Sequence, residues 1–194
     1  FLPEEGEMYD VKIEVYSDEE KYWILSRDKS NPDAEWVKHS NGKMNVLADQ
    51  FESQPVDLKA IQERVNDRLP VQPMYLELKK SGLFYGPTFK AIKNLWVVDQ
   101  EILGKIELHE SLEYGIQDYF LHPAILDACL HTIFAAKMSD DDEERGIYLP
   151  VHIDQYKLHS KPTSKTVYSY IQVAEASSEY LKGDFWIIDE DGTL

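Results

Sequence analysis

The sequence contains a single cysteine, Cys129, among its 194 residues. One thiol excludes an internal disulfide framework and any zinc site built from several thiolates. The opening residues, Phe1 to Glu5, also lack the basic start and the apolar stretch of a secretory signal peptide. We therefore expect a cytoplasmic protein, in a reducing compartment, that is neither secreted nor targeted.

Basic residues are scarce, since 20 Lys and Arg stand against 36 Asp and Glu and give a formal net charge of -16 at pH 7. A surface that binds nucleic acid needs clustered Lys and Arg, and no such run occurs, so we expect no nucleic-acid partner. No apolar run approaches the roughly 20 residues that a membrane helix requires, so we expect no membrane partner. A glycine-rich phosphate loop is missing too, and nothing in the sequence supports nucleotide chemistry.

Apolar residues are plentiful enough for a globular fold, at 43% of the chain. From Tyr9 to Ala48, alternating apolar residues predict successive antiparallel strands, which form a meander. The Asn41-Gly42 pair within this region predicts a hairpin turn. The polar stretch that follows predicts a linker with a short helix around Ile61 and Val65.

The second half of the chain combines helices with a further set of strands. A helix is predicted over Met74 to Ser81, ending at Gly82, and a second one begins at His122-Pro123 with a broad apolar face. Residues with strand propensity predict strands over 91–98, 101–109, 147–151, 155–160, 166–173 and 180–188.

Asp127 and His131 are four residues apart on the predicted apolar helix, so both side chains leave the same face. A carboxylate in apolar surroundings is destabilised by desolvation unless it is paired or protonated, and either state suits a general acid. A capped carboxylate near the start of a helix, or an ordinary surface pair, explains the same spacing.

Two further stretches combine turn residues with aromatic or apolar side chains. Residues 82–89 have two glycines and a proline, which predict a tight turn edged by aromatic groups. Residues 148–151 place Pro150 at a predicted strand edge. On its own, the first stretch is better explained as an ordinary entry to a sheet with aromatic core residues. The second is equally explained as strand punctuation.

Together, these three stretches resemble motifs of polyketide synthase dehydratases, in the order that the family has them. The resemblance rests on the tyrosine-glycine-proline-phenylalanine signature, on the catalytic aspartate helix and on a short leucine-proline-valine element. They read here as Gly82-Leu83-Phe84-Tyr85-Gly86-Pro87-Thr88-Phe89, His122-Pro123-Ala124-Ile125-Leu126-Asp127-Ala128-Cys129-Leu130-His131 and Leu149-Pro150-Val151.

The resemblance implies an α+β double hot-dog fold, in which antiparallel sheets wrap around a central helix. Residues 1–50 would be the closing strands of an incomplete first hot dog, residues 51–73 a linker with a short helix, and residues 74–194 the second hot dog. Asp127 would protonate the departing 3-hydroxyl, and His131 would occupy the neighbouring position that usually holds Gln or His. The substrate-binding residues implied are Tyr85, Gly86, Pro87, Phe89, Leu149 and Pro150.

The sequence departs from the family pattern at three places. Leu83 replaces a second hydroxyl-bearing aromatic residue, and Lys90 replaces the common glutamine after the phenylalanine. The family's base histidine, in a His-x-x-x-Gly-x-x-x-x-Pro motif, has no counterpart, so we expect the base to lie upstream of Phe1. The remaining histidines are interpreted as strand, turn or cap residues; they are His39, His109, His122, His152 and His159.

The reaction implied is elimination of water from a 3-hydroxyacyl thioester, which would need no metal and no bound cofactor. The substrate would arrive on the phosphopantetheine arm of an acyl carrier protein, and neighbouring synthase domains would be partners. A homodimer is suggested by the same resemblance. Because the net charge is negative, an acidic carrier would dock on a local basic patch, for which the candidates are Lys79, Lys80, Lys90 and Lys93.

Three alternatives stay open at this stage. A non-catalytic hot-dog module that binds acyl chains or has a scaffolding role would explain the missing histidine directly. Relatives that shift double bonds or form pyran rings often replace the acid at this position, so Asp127 favours dehydration. A thioesterase on the same fold could use Asp127 to activate water.

Overall fold

The computed structural model describes residues 6–44, 56–138, 148–177 and 179–193. The chain divides into two compact units, Phe1–Phe51 and Glu52–Leu194. The first unit contains one three-stranded antiparallel sheet in the order β1-β2-β3, with strands β1 (Tyr9–Tyr16), β2 (Lys21–Asp28) and β3 (Val37–Lys43). The predicted meander is confirmed; the predicted strand residues Val46 and Leu47 lie outside the described residues.

The hairpin predicted at Asn41-Gly42 is wrong, because both residues lie inside β3. Gly42 pairs with Tyr22 of β2. A Cβ atom on Gly42 would come within 2.7 Å of the Tyr22 ring. The lack of a side chain at this position therefore leaves room for the Tyr22 ring over the backbone. Gly42 does not form a tight turn.

The two faces of this small sheet differ in character. On one face, Lys12 and Arg27 lie over the ring of Trp36, and Lys38 lies over the ring of Trp23. Alternation along β1 places its apolar side chains on the other face, where they are exposed: Val11, Ile13 and Val15.

The second unit contains a five-stranded antiparallel sheet in the order β4-β5-β6-β7-β8. Its strands are β4 (Arg68–Leu69), β5 (Ile92–Val98), β6 (Glu101–Glu107), β7 (Thr166–Ala176) and β8 (Leu181–Asp189). Its α-helices are α1 (Leu58–Arg64), α2 (Val71–Lys80) and α3 (Pro123–His131). The 3₁₀ helices among the described residues are Ser17–Glu19, Pro87–Phe89, Glu110–Asp118 and Thr132–Lys137.

The five-stranded sheet is covered on both faces by separate apolar clusters. The inner cluster joins α2 and α3 to side chains such as Ile102, Ile106 and Ile171. The outer cluster joins α1 to the alternate side chains Leu103 and Tyr170 and to Ile188. Because successive side chains of a strand point to opposite faces, one sheet supplies both clusters.

Two predictions in this unit need correction. Helix α2 begins at Val71, ahead of the predicted start, because Pro73 lies in the first turn, where backbone N–H groups have no helical acceptor. No strand forms over residues 148–151 or 155–160 of the described chain. Alternating apolar residues favour an extended chain but do not supply a partner strand, and here Leu149 and Val151 are 60% and 92% exposed.

Within the described residues, no single helix has the length and apolar character to cross a membrane. One bent pair, Glu110–Asp118 with Pro123–Lys137, meets the length and composition only when both helices are taken together.

Candidate active site

Helix α3 is held at both ends by specific contacts. The Nδ1 atom of His122 accepts a hydrogen bond from the Ala124 backbone N–H at 3.1 Å, and Pro123 occupies the first helical position. This confirms the predicted helix start. At the other end, the Ser169 hydroxyl on β7 donates to the Cys129 carbonyl oxygen at 3.1 Å. The helix is therefore fixed against the sheet along the turns that carry Asp127.

A glycine sets the distance between this helix and the sheet. Gly104 of β6 faces Thr132, and a Cβ atom on Gly104 would lie 2.8 Å from the Thr132 hydroxyl oxygen. Thr132 directly follows His131 and donates its hydroxyl to the Ala128 carbonyl oxygen at 3.1 Å. The missing side chain thus lets the helix approach the strand closely at the turn that carries His131.

Asp127 and His131 face each other across one helical turn. Oδ2 of Asp127 lies 3.4 Å from Nδ1 of His131, and the two side chains are 34% and 8% exposed. Both atoms are buried and lack a hydrogen-bond partner in the described chain. The separation is longer than a hydrogen bond, so each atom is placed to satisfy the other after a shift of a few tenths of an ångström.

Burial shifts the pKa values of these two groups in opposite directions. Desolvation raises the pKa of Asp127 to about 6 and lowers the pKa of His131 to about 4. His131 is therefore neutral near pH 7, so the contact is not a charged ion pair. A proton on Asp127 is retained more readily than on an ordinary aspartate, as a general acid requires.

Tyr85 completes the group from the loop that follows α2. Its hydroxyl lies 2.7 Å from Nε2 of His131, and the two rings meet edge-on with centroids 4.7 Å apart. Burial, together with the Asp127 charge, raises the pKa of Tyr85 to about 12, so the phenol keeps its proton. The structure thus brings together three of the residues that the sequence singled out.

Two aromatic residues of this site were not identified from the sequence. The Phe134 ring stacks on His131 at 5.7 Å, and the Tyr75 ring of α2 lies 6.3 Å from Tyr85. The spacing of Phe134, three residues after His131, places it on the same side of a helix and could have identified it. Nothing in the sequence distinguished Tyr75 from other helical aromatic residues.

The other substrate-binding candidates occupy two different segments. Gly86 precedes the 3₁₀ helix Pro87–Phe89, which packs against α3, and Phe89 is exposed. Leu149 and Pro150 are exposed and lie in a segment without regular secondary structure. A substrate contact at these residues stays a prediction.

The remaining histidines occupy strand, cap and surface positions. His39 lies on β3, with Nε2 2.7 Å from the Ser26 hydroxyl. His109 and His122 are N-cap residues, of the 3₁₀ helix Glu110–Asp118 and of α3. His152, 3.0 Å from Asp154, and His159 are exposed. Among the described residues there is also no group of three or more His, Cys, Asp or Glu that could hold a metal ion.

A family model and a curated protein match this chain in sequence. The family model described as the polyketide synthase dehydratase N-terminal domain matches residues 53–194. The spectinabilin polyketide synthase system protein NorA' of Streptomyces orinoci is 33% identical over 137 residues, which are 71% of this chain and 4% of that protein. This chain therefore spans a small part of that relative.

Solved dehydratase domains of the curacin polyketide synthase are similar in structure. The CurF domain is 27% identical with a TM-score of 0.79, and the match covers 99% of this chain and 66% of that one. The CurK domain has been solved as two inactive mutants, one replacing His with Phe and one replacing Asp with Asn. They are 30% and 29% identical, with TM-scores of 0.74 and 0.75, and each match covers 95% of this chain and 62% of that one.

These matches confirm the predicted fold class, an α+β double hot-dog. The family model covers most of the chain, including the helix that carries Asp127 and the segment that carries Tyr85. The chain therefore belongs to the polyketide synthase dehydratase family.

Proposed function

We propose that this chain removes water from a 3-hydroxyacyl thioester carried on an acyl carrier protein, within a modular polyketide synthase. The observation that carries the proposal is the protonatable carboxyl of Asp127. This carboxyl is partly buried on α3 and lies against His131, and burial raises its pKa to about 6, so it keeps its proton closer to neutral pH than an ordinary aspartate does.

The elimination needs an acid and a base on the same substrate. A base takes the acidic proton from the carbon beside the thioester, and Asp127 gives its proton to the departing 3-hydroxyl. The carbon–oxygen bond breaks, water leaves, and the electron pair of the broken carbon–hydrogen bond forms the double bond of the enoyl thioester. The reaction neither oxidises nor reduces the substrate overall.

The base is proposed to be a histidine that this sequence does not contain. The inactive CurK mutants, one at a His and one at an Asp, support a need for one residue of each type. Asp127 supplies the acid here. His131 is buried beside that acid and contacts it, so it is poorly placed to serve as the separate base.

The carrier protein is proposed to dock near Lys90. This exposed lysine has its Nζ atom 5.9 Å from the centroid of the Tyr75 ring, and Tyr75 in turn contacts Tyr85. Lys90 therefore lies at the surface end of a row of side chains that leads to His131. Lys79, Lys80 and Lys93 complete the proposed patch, although Lys80 is paired with Glu77 at 2.7 Å.

Mass spectrometry of a 3-hydroxyacyl carrier-protein thioester tests the reaction. The thioester is incubated with this chain, with a form extended upstream along the synthase, and with Asp127→Asn in the extended form. We expect loss of 18 mass units, the mass of one water, only with the extended form, and its abolition in the Asn variant.

A matched control makes the same chemical change outside the site. Asp184→Asn on β8, in the extended form, should leave water loss unchanged. If no form removes water while the carrier still binds, the alternative of a non-catalytic acyl-binding module replaces the enzyme. Release of free acid instead of water would identify a thioesterase.

A further inference from the structure

The two carboxyl oxygens of Asp127 lie in different surroundings. Oδ2 is buried against Nδ1 of His131, whereas the side chain as a whole is 34% exposed. Oδ1, unlike Oδ2, is not among the buried polar atoms that lack a hydrogen-bond partner, so we infer that Oδ1 contributes to the exposed part of the side chain. A substrate hydroxyl can approach Oδ1, while Oδ2 faces only protein.

His131 is neutral, so one of its ring nitrogens carries a proton and the other accepts. The Tyr85 hydroxyl lies 2.7 Å from Nε2, within hydrogen-bonding distance. If the phenol donates there, Nε2 has no proton and Nδ1 must carry one. The ring is held in place by Tyr85 at its edge and by Phe134 stacked on its face.

We propose that Tyr85 fixes His131 in the Nδ1–H tautomer, and that this N–H directs the acidic proton of Asp127 to Oδ1, the oxygen that faces the substrate. An N–H directed at Oδ2 excludes a proton there, since two donors cannot share one hydrogen bond. His131 is thus a positioning residue. The catalytic consequence rests on the proposed dehydration, but the tautomer does not.

The donor is uncharged, which separates this arrangement from an ordinary ion pair. A cation beside Asp127 would lower the pKa of the carboxyl group and leave it deprotonated near pH 7. The groups that face the pair from other elements are the phenols of Tyr75 on α2 and of Tyr85, with the Phe134 ring on the following 3₁₀ helix. They orient the imidazole without adding charge.

Nuclear magnetic resonance of the histidine ring nitrogens tests the tautomer directly in this chain. With ¹⁵N-labelled histidine, His131 is identified as the resonance that is lost in His131→Gln. We expect the Nδ1–H pattern for His131 from pH 5 to pH 8. In Tyr85→Phe we expect a shift towards the Nε2–H form, which free imidazole side chains prefer.

A change at a distant tyrosine controls for the loss of a hydroxyl. Tyr180→Phe, at a residue just before β8 whose hydroxyl bonds Glu175, should leave the His131 pattern unchanged. An Nε2–H pattern for His131 in the unaltered chain would overturn the proposal. So would an Nδ1–H pattern that persists in Tyr85→Phe.

Two substitutions at His131 test its effect on Asp127. The amide of His131→Gln can donate to Oδ2 and accept from Tyr85, whereas His131→Leu can do neither. By ¹³C titration of the carboxyl, we expect the Asp127 pKa to rise further in the Leu variant than in the Gln variant. Equal pKa values in the two variants would contradict a donor role for His131.

The extended synthase form adds a kinetic readout. His131→Leu should lower kcat by about tenfold or more, with a smaller change in KM, and His131→Gln should lose less. If His131 is in the Nδ1–H form but no form of the protein removes water, the proposed function is wrong and the proposed position of the Asp127 proton is not contradicted. If water is lost but His131 is in the Nε2–H form, the positioning fails alone.

Discussion

Nδ1 of His131 and Oδ2 of Asp127 lie 3.4 Å apart, and both atoms are buried without another partner in the described chain. Near pH 7 this histidine is uncharged, because burial lowers its pKa to about 4. The two groups therefore interact as a carboxyl and a neutral imidazole. Their pH dependence follows from desolvation of each group rather than from mutual attraction.

Asp127→Asn should stabilise the fold above pH 6. The pKa of Asp127 is raised from 3.8 to about 6 in the folded state, so the folded form holds the proton more tightly than the unfolded form. The stability that this gives is complete below about pH 4 and is lost as pH rises through about 6. Since the side chain is about one-third exposed, we expect a gain of about 1 kcal/mol for the Asn variant at pH 7.5.

Urea unfolding at pH 4 and pH 7.5 checks this expectation. The difference between the variant and the unaltered chain should shrink at the lower pH. A variant that is less stable than the unaltered chain at pH 7.5 would contradict it.

His131→Gln should make the fold lose less stability than the unaltered chain does in mild acid. The pKa of His131 is lowered from 6.5 to about 4 in the folded state. Stability from this group is therefore present above pH 6.5 and is lost as pH falls through about 4. Thermal unfolding at pH 7 and pH 4.5 should show a smaller drop for the Gln variant, and an equal drop would count against the assignment. His159→Gln, at an exposed histidine, serves as the control.

Sequence patterns were sufficient for most of the elements in the five-stranded sheet and for the start of α3. Strands β5 to β8 have strong alternation or strand propensity, and His122-Pro123 has clear capping chemistry. The spacing of Asp127 and His131 on a helix predicted their contact directly. These successes depend on local interactions that any single sequence displays.

The failures concern contacts that are not local. Gly42 was interpreted as a turn residue because Asn-Gly favours turns, but the packing of the Tyr22 ring decides its role. The apolar residues of 148–160 alternate as they would in a strand, but a strand also needs a neighbouring strand, which the alternation does not identify. Tyr75 reaches the site only because α2 packs beside the segment that carries Tyr85.

Gly104→Ala should destabilise the second unit by about 1–3 kcal/mol, because the added methyl group overlaps Thr132. The new Cβ would lie 2.8 Å from Oγ1 and 2.9 Å from Cγ2 of that residue. Gly115→Ala is the matched control, since nothing lies within 4 Å of its Cβ position. Chemical unfolding of both variants measures the difference.

The double variant Gly104→Ala, Thr132→Ala adds a second check on that overlap. Its loss in free energy of unfolding should be smaller than the sum of the losses in the two single variants, because Thr132→Ala removes both overlapping atoms. Simple additivity of the two free energies would contradict steric overlap as the cause.

Arg64→Ala should lower the melting temperature more than Lys59→Ala does, although Arg64 and Lys59 both lie on α1. The Arg64 guanidinium contacts Glu101 at 2.6 and 3.0 Å and holds the pKa of that carboxyl down to about 2. Lys59 and Glu63 form an exposed pair at 4.0 Å, which contributes little.

The Arg64 effect should also depend on pH. A lowered carboxyl pKa gives stability that is present above pH 4.5 and is lost as pH falls through about 2. The gap in melting temperature between Arg64→Ala and the unaltered chain should therefore narrow at pH 3. A gap that is independent of pH would point to lost packing instead.

Lys90→Glu in the extended form should raise KM for a carrier-bound thioester and leave a free pantetheine thioester unaffected. The reversed charge repels an acidic carrier without touching Asp127 or His131. Lys182→Glu on β8 makes the same charge change elsewhere. Equal effects of the two variants would show that net charge, and not position, matters.

The two faces of the five-stranded sheet carry separate apolar clusters, with the candidate active site on one side and helix α1 on the other. Substitutions around Asp127 alter the cluster on the α3 side. Leu58 and Ile61 of α1, with Val65 just after the helix, stabilise the same sheet from the other side. Mutations in residues that do not touch each other combine nearly additively. Changes under α1 can therefore offset a loss of stability that substitutions around Asp127 cause, without altering the contacts between Asp127, His131 and Tyr85.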